Sequence, residues 1–191
     1  MAVLSAALLG CYMPVVDNND VERARRTSPL TYKNFTPVTS YPKTFETPEH
    51  REAIKNYSTI RDCLIESEAL SDFPDLRLVD WSRIHKKAEL DLCLWRIFSS
   101  LDDFESIIQW MDFHYLASGQ RYPSEIKSVE DLIFFKDSGV YWGGFYWHKT
   151  LPFQDENPVP RYALGSFKIE LSFRQSDNQL IRVSSSWQTT M

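Results

Sequence analysis

Three cysteines and four histidines are the residues of this 191-residue chain best suited to chemistry. Cys63 and Cys93 each fall in a segment with helical spacing. A bond between them would clip one helix to the next in an oxidising compartment. The alternative is two buried thiols that pack as small hydrophobes. His85, Glu89 and Cys93 follow one another at steps of four and are all metal-ligand types. Ligands eight apart on one helix lie about 12 Å apart, however, and a zinc site needs four donors in tetrahedral array. Glu89 and His85 therefore read as a plain exposed helix face. His114 and His148 would need a nucleophile or a carboxylate placed beside them by the fold, and none of the many Ser and Asp residues sits in a recognisable setting. Gly-x-Ser-x-Gly, a phosphate-binding Walker loop, a dinucleotide fingerprint and His-Glu-x-x-His are all missing from the sequence. No catalytic residue, metal or cofactor is assigned from these patterns, and the expectation is a chain that is not an enzyme.

Cys11 suggests a different chemistry. It follows Met-Ala-Val-Leu-Ser-Ala-Ala-Leu-Leu-Gly, an apolar run that suits the centre of an export signal. That run falls short of the ~20 residues a membrane-spanning helix needs. The ending Leu8-Leu9-Gly10-Cys11 resembles the bacterial lipobox, where a small residue lies beside the cut and the thiol accepts a diacylglycerol. Processing there would remove residues 1–10 and leave Cys11 as an acylated N-terminus. A non-aspartate residue after the cysteine, here Tyr12, implies delivery to the outer membrane by the sorting rule of such lipoproteins. Export signals open with cations, whereas the first cation here is Arg23. A start upstream of Met1 would supply them. The other reading is a buried N-terminal strand or helix with an incidental cysteine.

The elements that would position these groups follow from composition and periodicity. With 21 cations against 26 anions the net charge is −5, which disfavours sequence-independent nucleic-acid binding. Residues 12–47 contain Pro14, Pro29, Pro37 and Pro42 and have no helical period. They read as a tether of roughly 30–36 Å reach. Its apolar residues, among them Tyr32, Phe35, Tyr41 and Phe45, could dock on a surface. The division expected is a signal and lipobox at 1–11, a tether at 12–47 and one globular domain at 48–191.

Within that domain, Thr47-Pro48-Glu49 is a helix start, and the spacing predicts a helix over about 48–70. Asp80 can cap a second helix running to about Phe98, through Trp81, Ile84, Ala88, Leu92 and Trp95. Ser100 or Asp102 can start a third, with Gly119 as its stop. Residues 122–138 fit either a short helix capped by Ser124 or Ser128, or a buried strand at Leu132–Phe135. Strands are expected at about 139–148 and 161–164. Phe167, Ile169, Leu171 and Phe173 alternate with Lys168, Glu170, Ser172 and Arg174, so the first set should be buried and the charges wet. After the turn residues Ser176-Asp177-Asn178, alternation resumes through Ile181, Val183, Ser185 and Trp187. The fold class is α+β: about three helices packed on one face of a three- or four-stranded antiparallel sheet that ends in a C-terminal hairpin.

A lipobox, a Pro-rich tether, helices and a closing hairpin of the form Ile-Glu-Leu-Ser-Phe…Asp-Asn-Gln-Leu-Ile-Arg-Val resemble small envelope lipoproteins of the SmpA/OmlA (BamE) type. More broadly, they resemble the fold of the β-lactamase inhibitor protein. The resemblance covers about residues 102–187 and rests on pattern. The helical segments of 48–100 lie outside that family's minimal unit. The resemblance implies a non-enzymatic periplasmic module that binds other proteins.

The residues that could do the binding lie in Val140–His148. Tyr141, Phe145 and Trp147 share one face of that strand, and Trp142, Tyr146 and His148 share the other. A sheet covered by helices on one side buries one of these faces. The other needs cover from the chain itself, from the 149–160 loop, or from a partner. The expected function is a lipid-anchored interaction or assembly module that binds an unidentified envelope protein through this strand. The alternative is an inhibitor or immunity-type protein, with Asp102, Asp103, Asp155 and Glu156 facing an electropositive partner. An enzyme or small-ligand binder with a pocket between helices and sheet is a third possibility.

Overall fold

The computed structural model describes residues 21, 22, 24, 27, 30, 40–101, 103–117, 125–147 and 165–189. Cys11, His148, Asp102, Gly119, Asp155, Glu156 and the strand expected at 161–164 lie outside them.

Helix α1, Pro48–Asn56, begins as its sequence requires. The Thr47 hydroxyl accepts the His50 amide, proline occupies the first helical position, and Glu49 sits near the positive end of the helix dipole. The helix does not run on to residue 70. Buried Arg96 donates through Nη1 to the carbonyls of Tyr57 and Thr59, and through Nη2 to the Tyr41 hydroxyl at 2.8 Å. These bonds satisfy carbonyls that a continuing helix would have used. The Asp62 carboxylate then accepts the Thr59 amide at 2.7 Å and starts a 3-10 turn at Ile60–Cys63. A single helical turn, α2 (Glu66–Ala69), follows.

Cys63–Ile65 lies alongside Leu78–Asp80, joined by an antiparallel bridge between Leu64 and Val79. Asp80 caps a 3-10 turn at Trp81–Arg83 rather than a long helix. The chain is extended at Ile84 and Lys86 because Glu89 reaches back to accept the amides of His85 and Lys86. This capping carboxylate starts α3, Lys87–Ser100, six residues later than Asp80 suggests. Helix α3 is buried along nearly its whole length and lies between α1 and the sheet. Helix α4, Phe104–Phe113, is capped by Asp103, one residue past the expected start, and Tyr115 just beyond it takes a left-handed conformation at φ 57°.

Among the described residues the strands are β1 (Leu116–Ala117), β2 (Ile133–Phe135), β3 (Val140–Trp147), β4 (Gly165–Arg174) and β5 (Leu180–Thr189). All pairings are antiparallel, and β1 and β2 both lie along the edge of β3 away from β4. Residues 125–135 combine the two readings of that segment: a 3-10 turn capped from Ser128, then a short strand. The architecture is α+β with a closing C-terminal hairpin. In that hairpin Asn178 takes φ 53°, and the Arg174 amide reaches the Gln179 carbonyl at 2.8 Å. The tight turn before β3 ends on Gly139 at φ 62°, a conformation glycine adopts without steric cost.

Phe145, Ile169, Leu171, Phe173 and Val183 face the helices and are buried. Phe104 of α4 meets Phe173 edge to face at 5.2 Å. Gly143 points to the same side, where a β-carbon would come within 2.9 Å of Leu132. The glycine pair of β3 thus makes room for side chains and no bulge. The irregularity in the sheet is at Ser172/Phe173.

Packing also reaches back beyond residue 48. Phe45 and Leu30 belong to the main core, and Ala24 packs with Leu78 and Phe113 in a smaller cluster. Parts of the segment read as a tether are therefore buried against the domain.

Candidate interaction surface

The register places alternate residues of β3 on opposite sides of the sheet. Tyr141, Gly143 and Phe145 stand opposite Phe173, Leu171 and Ile169 of β4. Phe145 is 0% exposed and Tyr141 packs on the core, so neither reaches outward. Trp142 and Tyr146 lie on the far side, both partly buried. Trp147 belongs to β3 by its backbone, but its side chain is outside the described residues, as are those of Phe167 and Trp187. Among the five aromatics picked out on this strand, the outward pair is Trp142 and Tyr146.

On that outer side, Trp142 lies across Gly144, where a β-carbon would sit 3.0 Å from the indole. Phe135 meets the same indole edge to face at 6.3 Å. Lys168 passes beside Gly144 and places its ammonium 5.4 Å from the ring centroid. The ammonium also pairs with Glu170 at 2.6 Å. The alternation of β4 put Lys168 in water, yet it is 7% exposed, because the indole and the Glu170 carboxylate enclose it. Its aliphatic stem lies along the indole while its charge is met by the carboxylate. Glu170 and Arg174 do reach solvent, as the pattern predicts.

Ile133 and Phe135 complete this surface from β2. Paired with Trp142 and Val140, they share its outer face and are 56% and 51% exposed. The result is an apolar patch at one margin of the sheet, with a tryptophan held in place at its centre. The run Leu132–Phe135 does not show by itself which of its residues face outward. On a strand paired to β3, residues 133 and 135 must oppose buried Leu132.

The other candidate groups take structural positions. Cys63 and Cys93 lie at disulfide distance with Cα atoms 5.7 Å apart, joining the 3-10 turn before α2 to α3. That pairing and the Glu89 cap dissolve the His85–Glu89–Cys93 set: His85 precedes α3 altogether, and Glu89 is buried by its capping role rather than part of an exposed face. No group of three or more potential metal ligands occurs among the described residues. His114 is buried in a nest of aromatics, 4.0 Å from Trp110 and 5.3 Å from Trp81 by ring centroids.

Asp91 on α3 gathers a serine and a histidine. It accepts the Ser185 hydroxyl, pairs with Lys87 at 2.6 Å, and lies 3.6 Å from His50. Acyl-transfer chemistry needs the imidazole to take the serine proton. Here the carboxylate stands between the two, and Ser185 is buried. The cluster ties α1, α3 and β5 together. Nearby, burial and the Glu89 charge push the Tyr57 phenol up to about 12, so it remains a donor, to the Arg83 carbonyl.

Comparison with protein-family models, with curated proteins and with solved structures finds no match to this chain.

Proposed function

We propose that the chain is a non-catalytic interaction module of the bacterial cell envelope, lipid-anchored at Cys11 and facing the periplasm from the outer membrane. Its docking surface is the outer sheet face formed by Ile133, Phe135, Trp142 and Tyr146. The observation that carries this reading is the exposure of Ile133 and Phe135 beside a Trp142 that Lys168 and Glu170 hold in one orientation. An aromatic held in place within an apolar patch is the kind of anchor on which protein interfaces concentrate their binding energy. The partner is an envelope protein presenting an apolar surface of its own. The cysteine pair at bonding distance supports an oxidising compartment. The Leu-Leu-Gly-Cys ending supports acylation.

Replacing Ile133 and Phe135 together with serine tests the docking role. The circular dichroism spectrum should stay the same while the co-purifying envelope protein disappears. Retention of the partner by this variant contradicts the reading. Mass spectrometry of the mature protein from its native host tests the anchor: a diacylglyceryl Cys11 at the N-terminus is expected, and an intact residue 1–10 segment contradicts it.

A further inference from the structure

The most exposed large apolar side chains described are Leu70 and Phe73, at 79% and 83%, far from the sheet in sequence and on the turn that follows α2. That turn is rigidly built. Arg61 donates from Nη1 to the carbonyls of Ala69 at 2.8 Å and Ser71 at 2.6 Å. The Ser71 hydroxyl accepts the Phe73 amide at 3.1 Å, and Glu68 accepts the Asp75 amide at 2.8 Å. Buried Pro74 follows directly. This bracing fixes the backbone of the turn and leaves both side chains outward, in solvent.

The N-terminal segment is pinned beside this turn. Buried Arg77 pairs with Asp75 at 2.5 Å, donates to the Thr27 hydroxyl at 2.5 Å and to the Ala24 carbonyl at 3.1 Å, and lies 5.1 Å from the Phe113 ring centroid. Val21 and Ile65 pack on the same small cluster. Phe73 is four residues from Arg77, hence within about 14 Å of it along the chain. From Val21 back to Cys11 the chain spans at most about 36 Å. The described part of the N-terminal segment is thus held close to the turn that carries Leu70 and Phe73.

We propose that Leu70 and Phe73 insert into the interfacial layer of the lipid bilayer beside the anchor, fixing the domain's orientation on the membrane. This rests on the lipid-anchor reading of Cys11. Membrane-interface contacts of this kind use a few apolar side chains at a polar surface. Exposed Glu66 and Asp72 flank the pair, so the contact favours neutral over anionic headgroups.

The test uses the full chain with its Cys63–Cys93 pair oxidised, coupled through the Cys11 thiol to a maleimide-headgroup lipid in phosphatidylcholine vesicles. Phe73→Trp adds a fluorophore at the proposed contact. Brominated acyl chains should quench the added emission by a third or more, and quenching should weaken when phosphatidylglycerol is mixed in. Leu70→Ser with Phe73→Ser should keep the thermal midpoint and lower binding of the uncoupled chain to the same vesicles at least tenfold. Unquenched emission, or unchanged vesicle binding by the double variant, overturns the proposal. So does a photo-crosslinker at position 73 that captures a protein rather than lipid in intact cells. The coupling chemistry supplies an anchor whether or not the native chain is acylated. Quenching with an unacylated native Cys11 thus overturns the anchor reading alone, and native acylation without quenching overturns the bilayer contact alone.

Discussion

The helical half and the sheet half of this molecule are held by different means. In the sheet, side-chain alternation does the work: one face of β3 and β4 is sealed against α3 and α4, and the other carries Trp142, Lys168 and Glu170. In the helical half, charged and polar groups decide where elements begin and end. Arg96 stops α1, Asp62 and Asp80 turn the chain, Glu89 starts α3, and Asp91 ties helix to sheet. Apolar burial tolerates many sequences of one pattern, whereas a capping carboxylate acts at one position. Mutations should thus act broadly through packing in the sheet and locally, with a pH dependence, in the helices.

The largest effect is expected at the sealed face. Phe145→Ala should cost about 3–5 kcal/mol by denaturant unfolding, since the ring is wholly enclosed and leaves a cavity. A loss below about 1 kcal/mol would mean that this face is not the one under the helices. Next comes the clip between the 3-10 turn and α3. Replacing Cys63 and Cys93 by alanine should cost about 3–4 kcal/mol for a closed loop of this length, or a fall in thermal midpoint on the order of 10 °C. Equal midpoints with and without reductant would show that the bond contributes nothing.

A smaller effect separates the halves by pH. Burial opposes ionisation of Asp62, but the Thr59 amide and the Ser58 and Thr59 hydroxyls outweigh it and hold the carboxyl below its usual 3.8. A carboxyl depressed by folding stabilises the fold above the unfolded value, and that stability is lost as pH falls through the lower folded value. Asp62→Asn should therefore cost about 1 kcal/mol at pH 7 and little at pH 2. A cost independent of pH would assign the effect to shape rather than charge. The smallest effect on stability is expected on the outer face. Ile133→Ser and Phe135→Ser together should shift stability by about 0.5 kcal/mol or less, because both side chains are already half in water.

The same contrast explains how legible the sequence was. The hairpin of β4 and β5, its turn at Asp177–Asn178 and the burial of Ile169, Leu171 and Phe173 follow from a period of two, which a strand imposes on every residue. Lys168 escaped because its burial depends on Trp142 on the neighbouring strand and on the space left by Gly144. In the helical half, Trp81, Ile84 and Ala88 have helical spacing, yet they straddle a break made by Glu89. The break at Tyr57 depends on Arg96, 39 positions away. Contacts so distant leave no local signature. For the binding surface, the aromatic run announced a two-faced strand, but choosing its outer side required knowing that Leu132 fills the space over Gly143. The outward placement of Ile133 and Phe135 depends on the pairing of β2 with β3, a contact between separate strands.

The proposal that the outer sheet face docks an envelope protein is tested most directly by a photo-crosslinking residue placed at position 135 in intact cells, with position 52 on α1 as an exposed control. A discrete adduct with one envelope protein from position 135, absent from position 52 and lost when Ile133 is also changed to serine, is the predicted result. Adducts of equal yield from both positions, or none from position 135, would contradict it.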